Sequence, residues 1–298
     1  MKPEIRELQE AMGREGYIAD EAIATAAFLA ADLQKPLLIE GDAGVGKTEI
    51  AKVLAGLYRT ELIRLQCYEG LDVATALYEW NYPRQMLRVR MAELDGQGAA
   101  QAEEVIFGRG YLLERPLLRA ITRKEGPAVL LIDEVDRADE AFEAFLLELL
   151  SDFQVTIPEL GTVRAEHRPH VLLTSNCTRE LSDALRRRCL YLYVDHPALE
   201  KEVRILRSRV PAASEQLALE IGRFVQALRA RRLVRTPGVA ESIDWARALA
   251  RLHADHLELA EVEATLGCLV KDRHDQKDLK ESELAGMIAA ARTGEARA

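Results

Sequence analysis

With 298 residues, 48% of them apolar and 30% charged, the chain is long enough for about two domains with buried cores, which excludes a disordered segment and a disulfide-stapled miniprotein. Acidic residues outnumber basic ones by 49 to 40, a formal charge of −9, which disfavours a nucleic-acid binder that relies on overall basicity. Apolar runs such as Ala128–Ile132 fall far below the roughly 18 residues that span a bilayer, and Met1-Lys2-Pro3-Glu4 lacks a leader's apolar stretch, so the expectation is a cytoplasmic chain without membrane insertion. Cys67, Cys177, Cys189 and Cys268 lie far apart with no Cys-x-x-Cys pair, which predicts free, buried thiols.

In chain order, Asp20 is a good N-cap for a short helix over 22–33 that stops before Pro36. Leu37-Leu38-Ile39 reads as a buried strand, followed by a Gly-rich loop from Gly41 to Thr48 and a helix patterned on Ile50, Val53, Leu54 and Leu57. Further strands are predicted over 62–66, 129–132, 171–174 and 190–194, mostly with helices between, which implies a parallel sheet covered on both faces. A long insertion over about 78–110, holding Asp95-Gly96-Gln97-Gly98, reads as a flexible protruding arm. Phe142, Phe145, Leu146, Leu149 and Leu150 mark one face of a helix, and Val155 to Val163 alternates around a turn as a β-hairpin. Beyond Pro197 every periodic segment is helical, so a domain boundary is expected near 196, with an α/β core over 1–196 and a helical domain over 197–298 whose charged end from Lys271 frays.

Gly41-Asp42-Ala43-Gly44-Val45-Gly46-Lys47-Thr48 fits a Walker A loop. Its glycines let backbone N–H groups turn inward around phosphates, Lys47 reaches the β- and γ-oxygens, and the Thr48 hydroxyl binds Mg²⁺. Leu130-Leu131-Ile132-Asp133-Glu134 delivers two carboxylates to the end of a buried strand, where Asp133 can hold a Mg²⁺-bound water and Glu134 can take a proton from an attacking water. A base beside the metal ligand points to ATP hydrolysis. Asn176, ending the strand over 171–174, would orient that water or touch the γ-phosphate. Arg186, Arg187 and Arg188 suit the phosphates of a neighbouring subunit better than their own, which Lys47 already serves.

These motifs, in this order and with a helical lid behind them, resemble the AAA+ ATPases over most of the chain. The insert after the second strand and the hairpin at about 153–165 resemble the MoxR family. Arg64 to Asp72, Tyr78 to Tyr82 and Phe142 to Glu159 are similar to its CoxD-like group. The resemblance implies an AAA+ P-loop core with a parallel five-stranded sheet, helix-2 insert, pre-sensor hairpin and C-terminal all-helical lid. It also implies a ring, most often a hexamer, with ATP bound between core and lid and between subunits. A partner carrying a von Willebrand factor A domain and a metalloenzyme client, such as the molybdenum-copper carbon monoxide dehydrogenase, follow from it too. Lys47, Thr48, Asp133, Glu134 and Asn176 carry over, Arg188 matches the arginine finger best with Arg187 next, and Tyr17 and Ile18 would cover the adenine, where the residues themselves show only an apolar staple. One departure is Arg235-Thr236-Pro237-Gly238: a glycine stands where many relatives have the lid arginine that senses the γ-phosphate, so either Arg235 substitutes or that contact is missing.

Other patterns weigh less. His167/His170 and His253/His256 have metal-like spacing but no third ligand nearby in sequence, and Trp80 and Tyr82 suit packing of the arm against its own base, with contact to a client as the alternative. The clusters Arg186–Arg188 and Arg229–Arg232 keep a DNA-directed loader or translocase as the rival reading, with a nucleotide-gated scaffold as a third.

Overall fold

The computed structural model describes residues 2–94 and 106–294. They form two compact units. The first comprises residues up to Leu8, Glu21–Glu40 and Thr48–Tyr193; the second comprises Gln9–Asp20, Gly41–Lys47 and residues from Val194 onward.

The first unit is built on a five-stranded parallel sheet in the order β2 (Leu62–Gln66), β5 (Val129–Asp133), β8 (His170–Ser175), β1 (Leu37–Glu40), β9 (Leu190–Tyr193). β1 and β5 are buried at every position and β8 at nearly every one, as strands packed on both faces must be. The edge strand β2 alternates and leaves Arg64 and Gln66 exposed. The register sets Gln66 opposite Asp133 and Glu40 opposite Ser175 and Tyr193, so the strand ends that carry polar side chains share one edge. Helices α1 (Pro3–Arg14), α2 (Glu21–Asp32) and α3 (Lys47–Tyr58) come early in the chain. After β2 follow α4 (Val73–Leu77), β3 (Tyr78–Trp80), α5 (Tyr82–Leu94), β4 (Leu112–Glu114) and α6 (Pro116–Thr122).

The insertion is thus rooted rather than loose. β3 pairs antiparallel with β4, and Trp80 is buried edge-on against Phe107 with ring centroids 5.5 Å apart. The remainder of the expected arm, 95–105 with Asp95-Gly96-Gln97-Gly98, lies outside the described residues. α7 (Glu140–Asp152) starts on the Asp139 carboxylate, which accepts from Phe142 N at 2.8 Å, and stops at Phe153 in left-handed backbone. β6 (Gln154–Ile157) and β7 (Gly161–Arg164) form the expected hairpin, with Val155, Ile157 and Val163 in the core and a Thr156–Thr162 hydroxyl pair on the open face. α8 (Asp183–Arg188) leads into β9.

In the second unit α9 (Leu199–Arg209), α10 (Glu215–Arg229), α11 (Val239–Arg251), α12 (Leu259–Thr265), α13 (Arg273–Ser282) and α14 (Leu284–Thr293) close around Trp245 and Phe224, whose rings lie 5.1 Å apart. The segment from Lys271, expected to fray, forms α13 and α14 instead, because α14 buries Leu284, Met287, Ile288 and Ala291 in this core. The thiols are all free, yet only Cys67 is buried; Cys177 is exposed, and Cys189 and Cys268 are partly covered. No helix among the described residues is long and apolar enough to cross a membrane.

Candidate phosphate loop and acidic sheet edge

The loop Gly41–Lys47 belongs to the second unit. Gly41 has a positive φ of 152°, and a Cβ there would lie 2.1 Å from Val194 O, so no side chain fits where the chain leaves β1. Lys47 is buried and donates to Gly41 O at 2.6 Å and Asp42 O at 2.7 Å, which holds its ammonium against the loop. Tyr17 flanks the loop, its ring edge 3.9 Å from where a Gly46 Cβ would stand; Ile18, beside it in sequence, is half-buried. His196 Nε2 lies 3.2 Å from Asp42 Oδ2 but outside hydrogen-bonding geometry. Burial and then the nearby Arg229 hold its imidazole below the usual range against the opposing pull of Asp42.

The acidic edge belongs to the first unit. Asp133 closes β5 and is buried, yet its carboxylate is fully engaged. Thr48 Oγ1 donates at 3.1 and 3.3 Å, Thr174 Oγ1 to Oδ1 at 2.5 Å, and Arg64 Nη2 to Oδ2 at 2.5 Å. Arg64 also donates to Gln66 Oε1 at 2.5 Å. Glu134 leaves the strand in left-handed backbone (φ 55°, ψ 50°), a conformation that costs a non-glycine residue roughly 1–2 kcal/mol, and its N–H is anchored on Thr174 Oγ1 at 2.9 Å. The Glu134 carboxylate is half-buried and pairs with Arg137 at 3.1 Å.

Asp136 ties the next strand to this turn, accepting from Asn176 N at 3.2 Å, Thr178 N at 3.0 Å and Thr178 Oγ1 at 2.6 Å. Burial works to raise its carboxyl, but these hydrogen bonds outweigh it and leave the group below the ordinary aspartate range. β8 lies between β5 and β1, and its register sets Thr174 beside Asp133, with Asn176 two residues further on against Asp136. Cys67 N donates to Asp133 O at 2.8 Å, and burial together with the Asp133, Asp136 and Glu134 carboxylates pushes its thiol up to about 12.

Thr48 and Asp133 suit Mg²⁺. Both offer the hard oxygen donors that this ion takes, and the Thr48 hydroxyl already meets the Asp133 carboxylate.

The three arginines before β9 part company. Arg186 is bound within its own chain, its Nη2 donating to both oxygens of the buried Glu40 at 2.9 and 3.0 Å, with Tyr191 OH on the same carboxylate at 2.9 Å. Arg188 donates to Ser151 Oγ at 2.9 Å, and Arg187 is exposed with no partner among the described residues. Sequence reasoning missed Arg64, Thr174, Asp136 and Glu40. The first two stand in motifs already singled out, but only strand pairing shows that they meet Asp133. The histidine pairs do not gather ligands: His170 stacks on Tyr58 at 4.7 Å, His256 Nδ1 lies 3.0 Å from Glu220, and among the described residues no group of three or more His, Cys, Asp or Glu is arranged to hold a metal ion.

The chain is similar to the uncharacterized protein YojN of Bacillus subtilis, 29% identical over 229 residues that cover 74% of this chain and 66% of that one. It is also similar to an uncharacterized protein of Staphylococcus aureus (strain bovine RF122 / ET3-1), 27% identical over 172 residues that cover 55% and 57%. It therefore spans less than two thirds of the length of these relatives. Among solved structures, the RuvB Holliday junction branch migration motor of Thermotoga maritima shares the fold at 17% identity, with a TM-score of 0.50 over 97% of this chain and 82% of that one. A mutant of the same motor gives 16%, 0.53, 99% and 87%. A family model described as AAA domain (dynein-related subfamily) matches residues 36–189, which together with the loop and acidic edge makes this chain a member of that family.

Proposed function

We propose that the chain is a Mg²⁺-dependent ATPase that works in an oligomeric ring, most often a hexamer, and remodels a protein client. The observation that carries the ATPase reading is the buried Asp133 joined to the Thr48 hydroxyl, with Glu134 as the next residue. Backbone N–H groups of Gly44 to Lys47 and the Lys47 ammonium would hold the β- and γ-phosphates, while Thr48 and Asp133 would hold Mg²⁺. When bound, Mg²⁺ would supply charge neutralisation on the β- and γ-phosphates. Glu134 accepts the proton of the attacking water, Asn176 orients that water or touches the γ-phosphate, and Tyr17 with Ile18 covers the adenine. Arg188, or Arg187 beside it, would act on the phosphates of a neighbouring subunit. The core would run over 1–196 and the lid over 197–298.

The client reading rests on the MoxR and CoxD-like resemblance: a partner with a von Willebrand factor A domain and a metalloenzyme whose centre is matured. It is supported by α5, which buries Gln85 and Ala92 but exposes Tyr82, Met86, Leu87, Met91 and Leu94, an apolar stripe suited to contacting another protein.

Glu134→Gln should leave ATP binding nearly intact and cut turnover at least about 100-fold, because the base is lost and the metal ligand kept. Lys47→Ala should weaken binding itself. Steady-state ATPase beside nucleotide titration decides, and wild-type turnover in Glu134→Gln would refute the roles assigned. A DNA-directed motor uses the same phosphate residues, so strong stimulation by double-stranded DNA alone at physiological salt would overturn the client reading.

A further inference from the structure

The start of α11 is held to the phosphate loop by backbone. Gly238 caps α11 in extended conformation and its N–H donates to Glu241 Oε2 at 3.0 Å. The next N–H, of Val239, leaves the helix and donates to Gly44 O of the phosphate loop at 2.9 Å. The approach is close enough to exclude any side chain: a Cβ on Gly238 would stand 2.7 Å from Gly44 Cα and 2.9 Å from Ala43 O, both main-chain atoms that cannot turn aside. On the other side a Cβ on Gly44, whose φ is +80°, would stand 3.1 Å from both Gly238 Cα and Glu241 Oε2.

The clamp is anchored from behind. Arg229 Nε donates to Pro237 O at 2.9 Å, and its Nη atoms form a bidentate pair with Glu202 at 2.6 and 2.8 Å. Both side chains are almost wholly buried. Ser242 Oγ donates to the same Glu202 at 2.8 Å, so α9, α10 and the first turn of α11 fix the backbone of 237–238 together. A buried pair of this kind tolerates little displacement, since loss of either partner strands the other charge.

We infer that Gly238 is a positioning residue for phosphate binding: the first turn of α11 and the phosphate loop move as one backbone-joined body, so the helical lid responds to the nucleotide without a sensing arginine. This rests on the nucleotide reading above. Phosphates held by the Gly44–Lys47 amides fix Gly44, and Gly44 O fixes the start of α11.

Gly238→Ala must push the helix off the loop. ADP binding by calorimetry should weaken at least about 10-fold in Gly238→Ala, while Gly267→Ala, where a Cβ meets only Gln276 at 3.6 Å, binds as wild type. In the wild type, hydrogen exchange with and without ADP should show amides 239–243 slowing together with those of 41–48. That second measurement needs no variant to fold. Wild-type ADP affinity in a folded Gly238→Ala protein, or protection confined to 41–48, would overturn the inference. A wild-type protein that binds no ADP at all would instead sink the nucleotide reading.

Discussion

Asp133 owes its setting to Thr174 as much as to its own strand. One hydroxyl donates to the Asp133 carboxylate and accepts the Glu134 N–H, so it holds both acidic residues at once. Thr174→Val takes one donor from the Asp133 carboxylate, which keeps Thr48 and Arg64, and leaves the Glu134 N–H without its acceptor, a cost of about 1–3 kcal/mol. Turnover should fall well beyond any change in ADP affinity, and Thr174→Ser should restore most of it; a variant as active as wild type would show that Glu134 needs no such anchor. Arg64 poses a competition, because its guanidinium sits on the carboxylate assigned to Mg²⁺. Arg64→Gln should therefore lower the Mg²⁺ concentration needed for half-maximal binding of a fluorescent ATP analogue, and an unchanged Mg²⁺ requirement would remove Arg64 from the site. For Asp136 the sign of the pH effect follows from its depressed carboxyl. Its stabilisation is present above the ordinary aspartate value of about 3.9 and is lost as pH falls through the lower native value. Asp136→Asn should thus cost about 1–3 kcal/mol at pH 7, read from denaturant unfolding, and progressively less below pH 4.

At the level of elements, the turn α8 carries its arginines in three different settings, and Arg187 and Arg188 are the two left for the action proposed on a neighbouring subunit. Each should be replaced by alanine separately. The finger variant should lose hydrolysis yet keep nucleotide affinity, and mixing it with Glu134→Gln subunits should restore some activity wherever an intact Glu134 meets an intact arginine. No rescue in either mixture would argue against action in trans. The strands were legible because buried parallel strands are apolar runs ended by polar residues, as in Leu37–Ile39 and Leu130–Ile132, and the hairpin because Val155, Ile157 and Val163 alternate. Arg186 was not. Its partner Glu40 lies 146 positions away, joined only once β9 is laid beside β1. The α13–α14 segment was misjudged because its first helix is charge-rich, while the apolar face that anchors it is carried by the second.

For the molecule as a whole, the sequence suggested a single break near 196, whereas the second unit also takes in 9–20 and the phosphate loop. Close approaches such as Gly44 to Gly238 create that grouping, and a glycine gives no hint in sequence of which backbone it touches. A glycine at 238 was visible in the sequence; the main-chain contact with Gly44 and Ala43 that requires it was not. On the face of α5 proposed for a partner, Met86→Ser with Leu87→Ser should spare basal ATPase and abolish any stimulation by a protein carrying a von Willebrand factor A domain. Retained stimulation would move the contact elsewhere. The thiols add a practical property. Burial pushes Cys67 and Cys189 up to about 12, where almost no thiolate exists at neutral pH, while Cys177 is exposed one residue after Asn176. The unmutated protein therefore carries its own attachment point for a fluorophore: a maleimide dye given at sub-stoichiometric dose should load mainly at Cys177 and turn any rearrangement of the neighbouring strand end on adding nucleotide into a change in light.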